Sequence, residues 1–121
     1  MSDLRARTKR FAIAIFKLCD SLPDTPSCKI VRKQLARSAS SVGANYRAAC
    51  HARSKAEFLS KMSIAEEEAD ETEYWLELLE DVGSVPDKQM KQLQDEAHQI
   101  TSMVIASIKT ARRRKRADSE G

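Results

Sequence analysis

The chain has 121 residues, with 21 lysines and arginines against 18 aspartates and glutamates, 5% aromatic residues and three glycines. So few aromatics and turn formers exclude a sheet-rich fold, and 32% charged residues among strong helix formers point to long amphipathic helices in one domain. No apolar run of membrane-spanning length occurs and the start, MSDLRARTKRF, lacks the apolar centre of a secretory signal, so a cytoplasmic protein without membrane contact is expected.

The first helix is expected over about Leu4 to Asp20, with Leu4, Phe11, Ile15 and Leu18 on one stripe that Phe16 and Cys19 widen. Pro23 ends it. Asp24 or Thr25 can cap the second helix, with Pro26 in its first turn, where the missing N–H costs nothing. This helix should run to about Cys50. Val31, Leu35, Val42, Tyr46 and Ala49 form its inward arc, which also holds Ser38 and Asn45. These two are expected to be buried polar groups that fix helix register, with Asn45 bonding across to a neighbour past the small residues around it.

After a break at His51-Ala-Arg-Ser54, the pattern Ser54-Lys-Ala-Glu57 reads as a capping box that starts the third helix near Lys55. Phe58, Met62, Ala65, Ala69, Thr72, Leu76 and Leu79 then recur in steps of four and three, which makes one continuous seam. Ile64, Trp75, Leu78 and Val82 fall a quarter to a third of a turn away and form a second stripe. A neighbouring helix of the same subunit could cover that stripe, or a second subunit could; the latter makes these four the oligomer-interface candidates. Gly83 supplies a left-handed stop, Ser84-Val-Pro86-Asp87 restarts the chain, and Met90, Leu93, Ala97, Ile100, Val104 and Ile108 repeat the seam on a fourth helix. Three short connections predict an all-α, antiparallel up-and-down four-helix bundle over residues 1–111. The basic stretch from Arg112, residues 112–121, reads as a disordered tail.

Four segments carry a family resemblance: Gln34-Leu-x-Arg37-Ser38; Ser41-Val42-Gly-Ala-Asn45-Tyr46; Ser54-Lys-x-x-Phe58-x-x-Lys61-Met62-x-Ile64-Ala65; and Glu68-Ala69-x-Glu71-Thr72-x-Tyr74-Trp75-Leu76-x-Leu78-Leu79. Together they resemble the bacterial four helix bundle protein family. Its relatives include the protein encoded by intervening sequences of 23S ribosomal RNA genes and the accessory variability determinant of diversity-generating retroelements. The resemblance implies a four-helix protomer assembled as a homopentameric ring, without enzymatic activity. In the retroelement branch it implies a nucleic-acid-binding partner of a reverse transcriptase. Many relatives follow the asparagine with a glutamate, whereas this chain reads Ala44-Asn45-Tyr46-Arg47-Ala48-Ala49, so any role of that acid is absent.

Charge is segregated along the chain: the first two helices are basic and the third is acidic. Packing these helices together offsets charge by salt bridges. The functional alternative is a phosphate-binding surface of Lys29, Lys33, Arg37 and Arg47 on the outer side of the second helix, extended by Arg112, Arg113, Arg114, Lys115 and Arg116. Repetition of that surface around a ring would strengthen salt-dependent binding of RNA or DNA with little sequence preference.

Cys19, Cys28 and Cys50 are odd in number and form no C-x-x-C pair, so buried or semi-buried structural thiols are expected. One Asp95-x-x-His98 cannot supply a di-iron ligand set, two histidines cannot supply the usual zinc set, and no phosphate-loop, dinucleotide or nucleophile-elbow motif occurs. The reading is therefore a non-enzymatic module with no catalytic residue, metal or cofactor. Its partners are copies of itself and RNA or DNA, or a nucleic-acid-processing protein. The alternative is a protein-binding adaptor or a structural protein of a mobile or intervening element, without nucleic-acid contact.

Overall fold

The fold follows from where these amphipathic stretches are allowed to start and stop. In a computed structural model, which describes the backbone of residues 4–120 and the side chains of residues 4–114, the chain forms four helices. They are α1 (Leu4–Ser21), α2 (Pro26–Cys50), α3 (Lys55–Val82) and α4 (Asp87–Glu120). Thr25 caps α2 by accepting from the Cys28 amide at 3.1 Å, and Ser54 caps α3 by accepting from the Glu57 amide at 3.0 Å. Gly83 closes α3 at φ 78°, a backbone that a Cβ would strain, so the α3–α4 turn needs glycine there.

The helices form an antiparallel up-and-down bundle in which α1–α2, α2–α3, α3–α4 and α1–α4 pack side by side and the diagonal pairs do not meet. The α2–α3 seam is the most extensive and the α1–α4 seam the least. At α1–α2 the approach centres on Gly43, where an added Cβ would lie 3.2 Å from Thr8 Oγ1. The seams meet in one core that includes Leu18, Leu35, Leu76 and Ile100, each nearly or wholly inaccessible to water. Burial of each such side chain contributes about 1.5–3 kcal/mol.

The α3 seam is buried from Met62 to Leu79, but Phe58 and, on α4, Leu93 are only half-buried. Both departures come from α1. Arg7 reaches Glu96, Gln99 and Met103, so Leu4 stands level with about Ser102 and, among the described residues, the rest of α4 has no α1 beside it. From there to Glu120 roughly 25 Å of α4 runs on, leaving one corner of the bundle open over Phe58. Leu93 instead faces the loose part of the α1–α4 seam, a groove of about 600 Å³.

Three further expectations change. Phe16 lies 47% exposed, because its position turns past the α1–α2 contact that holds Cys19. Asn45 is half-buried, and its amide donates to the Ser41 carbonyl one turn back on the same helix at 2.9 Å; it makes no bond across the seam. Cys19 and Cys28 are buried free thiols, with the Cys19 thiol pushed up by burial and by nearby Asp20, whereas Cys50 at the end of α2 is exposed. The stretch from Arg112 continues α4 to Glu120, with side chains from Lys115 onward outside the described residues.

Candidate nucleic-acid interface

Antiparallel packing gathers charge in a way that no single helix reveals. One end of the bundle is built from the start of α1, the end of α2, the start of α3 and the end of α4. Residues 4–10, 44–61 and 105–114 lie toward that end and bring twelve lysines and arginines against one acid of their own, Glu57, with Glu96 of α4 paired to Arg7 beside them. The opposite end, residues 17–30 and 77–91, carries four basic and six acidic groups. The bundle is therefore polarised along its axis, which a helix-by-helix charge tally hides. Alternating the charge of successive helix ends along the sequence would have revealed it.

This polarity divides the residues proposed from sequence for phosphate contact. Lys29 and Lys33 are exposed near the start of α2, whereas Arg47 is exposed in its last turn, roughly 27 Å from Lys29 at 1.5 Å per residue. Arg37, between them, is held by α3. Its guanidinium donates to Glu68 at 2.9 Å and to Glu71, and Glu71 also accepts from the Trp75 indole at 3.0 Å. The Trp75 bond and then Arg37 hold the Glu71 carboxyl below its ordinary range. Arg37 is thus an internal counter-ion of the acidic helix, and the charge-offset reading applies to it.

Arg47, Arg112, Arg113 and Arg114 all belong to the basic end. Lys115 and Arg116 have side chains outside the described residues. Around Arg47 a groove of about 430 Å³ is lined by Arg5, Lys9, Ser40 and Ala44, and Arg5 donates to the His51 ring at 3.3 Å. A second groove, of about 660 Å³, fills the open corner beside α4 and is lined by Lys55, Phe58, Ala106, Ser107, Thr110, Ala111 and Arg114. Arg5, Lys9, Arg53, Lys55 and Lys109 are basic residues of this end that a search along α2 misses.

The apolar stripe expected at an interface has its own location. Ile64, Trp75 and Leu78 are half-buried and Val82 is 51% exposed. Tyr74, packed edge-on to Trp75 at 5.2 Å, is exposed as well. The Thr72 hydroxyl donates to the Ser38 hydroxyl at 2.9 Å. That contact sets the α2–α3 register, so Ile30, eight residues before Ser38, comes level with Glu80, eight after Thr72. Ile30 is the most exposed large apolar residue of the described surface, and it extends the stripe onto α2. Ser38 and Thr72 are fully buried beneath it.

Among the described residues no group of three histidines, cysteines or acids is placed to hold a metal ion, and no helix is long and apolar enough to cross a membrane. The chain matches the family described as 23S rRNA-intervening sequence protein over residues 2–106. No curated protein matches it. Among solved structures it is similar to a protein of unknown function from the S23 ribosomal protein family of Bacteroides thetaiotaomicron VPI-5482. The two are 36% identical with a TM-score of 0.82, over 88% of this chain and 98% of that one.

Proposed function

The chain belongs to the 23S rRNA-intervening sequence protein family, and from that membership we propose that it is a non-enzymatic, self-associating module that binds RNA or DNA through the basic end of its bundle. The observation that carries this reading is the axial segregation of charge, with twelve basic groups at one end against Glu57 and the Glu96 that pairs with Arg7. A surface of that sign attracts a phosphate backbone and gains by releasing its counter-ions. It carries no element shaped for reading base edges in a groove, so binding is sequence-tolerant. Self-association through the Ile64, Trp75, Leu78 and Val82 stripe, in a homopentamer as the family resemblance implies, would repeat the basic end around a ring and raise the avidity.

Size-exclusion chromatography with light scattering tests this on the full chain with a short structured RNA. At about 50 mM salt the protein is expected to co-migrate with the RNA. At about 200 mM it should release it, since six phosphate contacts on a duplex lose about a thousand-fold in affinity over that range. Replacement of Arg47, Arg112, Arg113 and Arg114 by glutamine should abolish retention at low salt, while Lys29→Gln with Lys33→Gln should leave it. Failure of the unaltered protein to retain RNA in either buffer would overturn the reading in favour of a protein-binding adaptor.

A further inference from the structure

The open corner beside α4 differs in kind from the other grooves described on the bundle. The Arg5–Lys9–Arg47 groove is basic and has no aromatic wall, and the α1–α4 groove contains Glu96 and an almost completely covered Phe11. The two grooves between α3 and α4 lower on the bundle are lined by Asp70 with Glu73 and Glu77, or with Glu66 and Glu67. Only the corner groove combines an accessible aromatic ring, a lining without acids, and cations on its margin, here Lys55 and Arg114. Its floor is made of the small residues Ala106, Ser107 and Ala111, over which a flat ring can approach Phe58.

We propose that this groove holds an unstacked base of a single-stranded nucleic acid against Phe58, with the flanking phosphates at Lys55 and Arg114. The proposal rests on the nucleic-acid reading above and narrows it to single strands. Inside a duplex every base is paired and stacked on both faces, whereas each base of a single strand can offer a face, so stacking adds affinity without adding sequence preference. The position of Phe58 explains why it is available. It occupies a core position of the α3 seam, and among the described residues no part of α1 reaches beside it. Charge complementarity selects the occupant: the groove lies within the most basic part of the described surface, and its described lining holds no carboxylate to repel phosphate.

Fluorescence anisotropy on the full chain at low salt decides it, with labelled oligo-dT of about twenty nucleotides and a blunt duplex of the same length. Phe58→Leu is expected to weaken oligo-dT binding about ten-fold or more while duplex binding stays within about two-fold, since base–aromatic stacking is the contact removed. Phe58→Tyr should retain single-strand affinity. Ala106→Leu, at an exposed position that leaves the core intact, should narrow the groove and reproduce the Phe58→Leu loss, which separates occupancy of the groove from any loss of fold.

Equal losses on single strand and duplex would reduce the groove to a phosphate contact and overturn base insertion. Unchanged oligo-dT binding in both Phe58→Leu and Ala106→Leu would overturn the groove but leave the basic-end reading standing. A change in subunit number with Ala106→Leu and no change in binding would assign the groove to a second copy of the chain. No binding of either probe by the unaltered protein would overturn the broader reading and this one together.

Discussion

Thr72 and Ser38 place two hydroxyls at the centre of the most extensive seam, and their costs of removal should differ. The Thr72 hydroxyl lies 2.9 Å from Ser38 Oγ and 2.8 Å from the Glu68 carbonyl, whereas Ser38 reaches the Leu35 carbonyl only at 3.4 Å. Ser38→Ala therefore leaves Thr72 a good acceptor on its own helix. Thr72→Val leaves a buried serine with one long bond, and an under-satisfied buried hydroxyl costs about 1–3 kcal/mol. Urea unfolding should show Thr72→Val destabilised by about 1–2 kcal/mol and Ser38→Ala by less than about 1 kcal/mol. The reverse order would mean that the Glu68 carbonyl does not satisfy Thr72 once Ser38 is gone. Ser38 was legible as a buried polar residue because its position lies inside an apolar arc. Asn45 lies nearer the edge of that arc, and the Ser41 carbonyl one turn back satisfies its amide without a partner helix.

At the scale of elements, the weak seam carries a polar clamp. Arg7 donates to both Glu96 carboxylate oxygens, at 2.7 and 2.8 Å, and to Gln99 at 2.6 Å, and so ties α1 to α4 where their apolar packing is most open. The Arg7 bonds hold the Glu96 carboxyl below its ordinary range. A carboxyl lowered in the folded state contributes stability that is present above its unfolded value, about 4.3, and lost as pH falls through the folded one. Arg7→Met should lower stability at pH 7 by about 1 kcal/mol, with both groups a quarter to a third exposed, and should flatten its decline on acidification below about pH 4.5. Thermal unfolding of both proteins at pH 7 and pH 3.5 checks this; a gap unaltered between the two pH values would show that the charge of Glu96 contributes nothing to it. The boundaries of these elements were readable because local chemistry sets them: Pro23, Pro26, Ser54 and Gly83 act within a few residues of themselves. Exposure of Phe58, Leu93 and Phe16 was not, since it depends on how far α1 extends beside α4 and α2, which no local pattern encodes.

For the whole molecule, the basic end and the apolar stripe lie in different places and make separable demands. The stripe of Trp75, Leu78 and Val82, widened by Tyr74 and Ile30, is centred toward the end of α3 remote from the basic groups. Sequence periodicity identified the α3 part of it, but Ile30 joins only through the α2–α3 register, a long-range fact. If a second subunit covers this stripe, Trp75→Glu puts a charge into an apolar interface, next to Glu71 and without the indole donor that Glu71 now has. The folded protomer should survive, because Trp75 is only half-buried and Leu76 and Leu79 hold the seam beneath it. Light scattering should then report a smaller species than for the unaltered chain, while circular dichroism keeps its helical signal. RNA retention should also weaken, because a dispersed protomer presents one basic end where the assembly presents several. An unchanged oligomer with an intact fold would remove Trp75 from the interface, and unchanged RNA affinity in a dissociated variant would show that one basic end suffices.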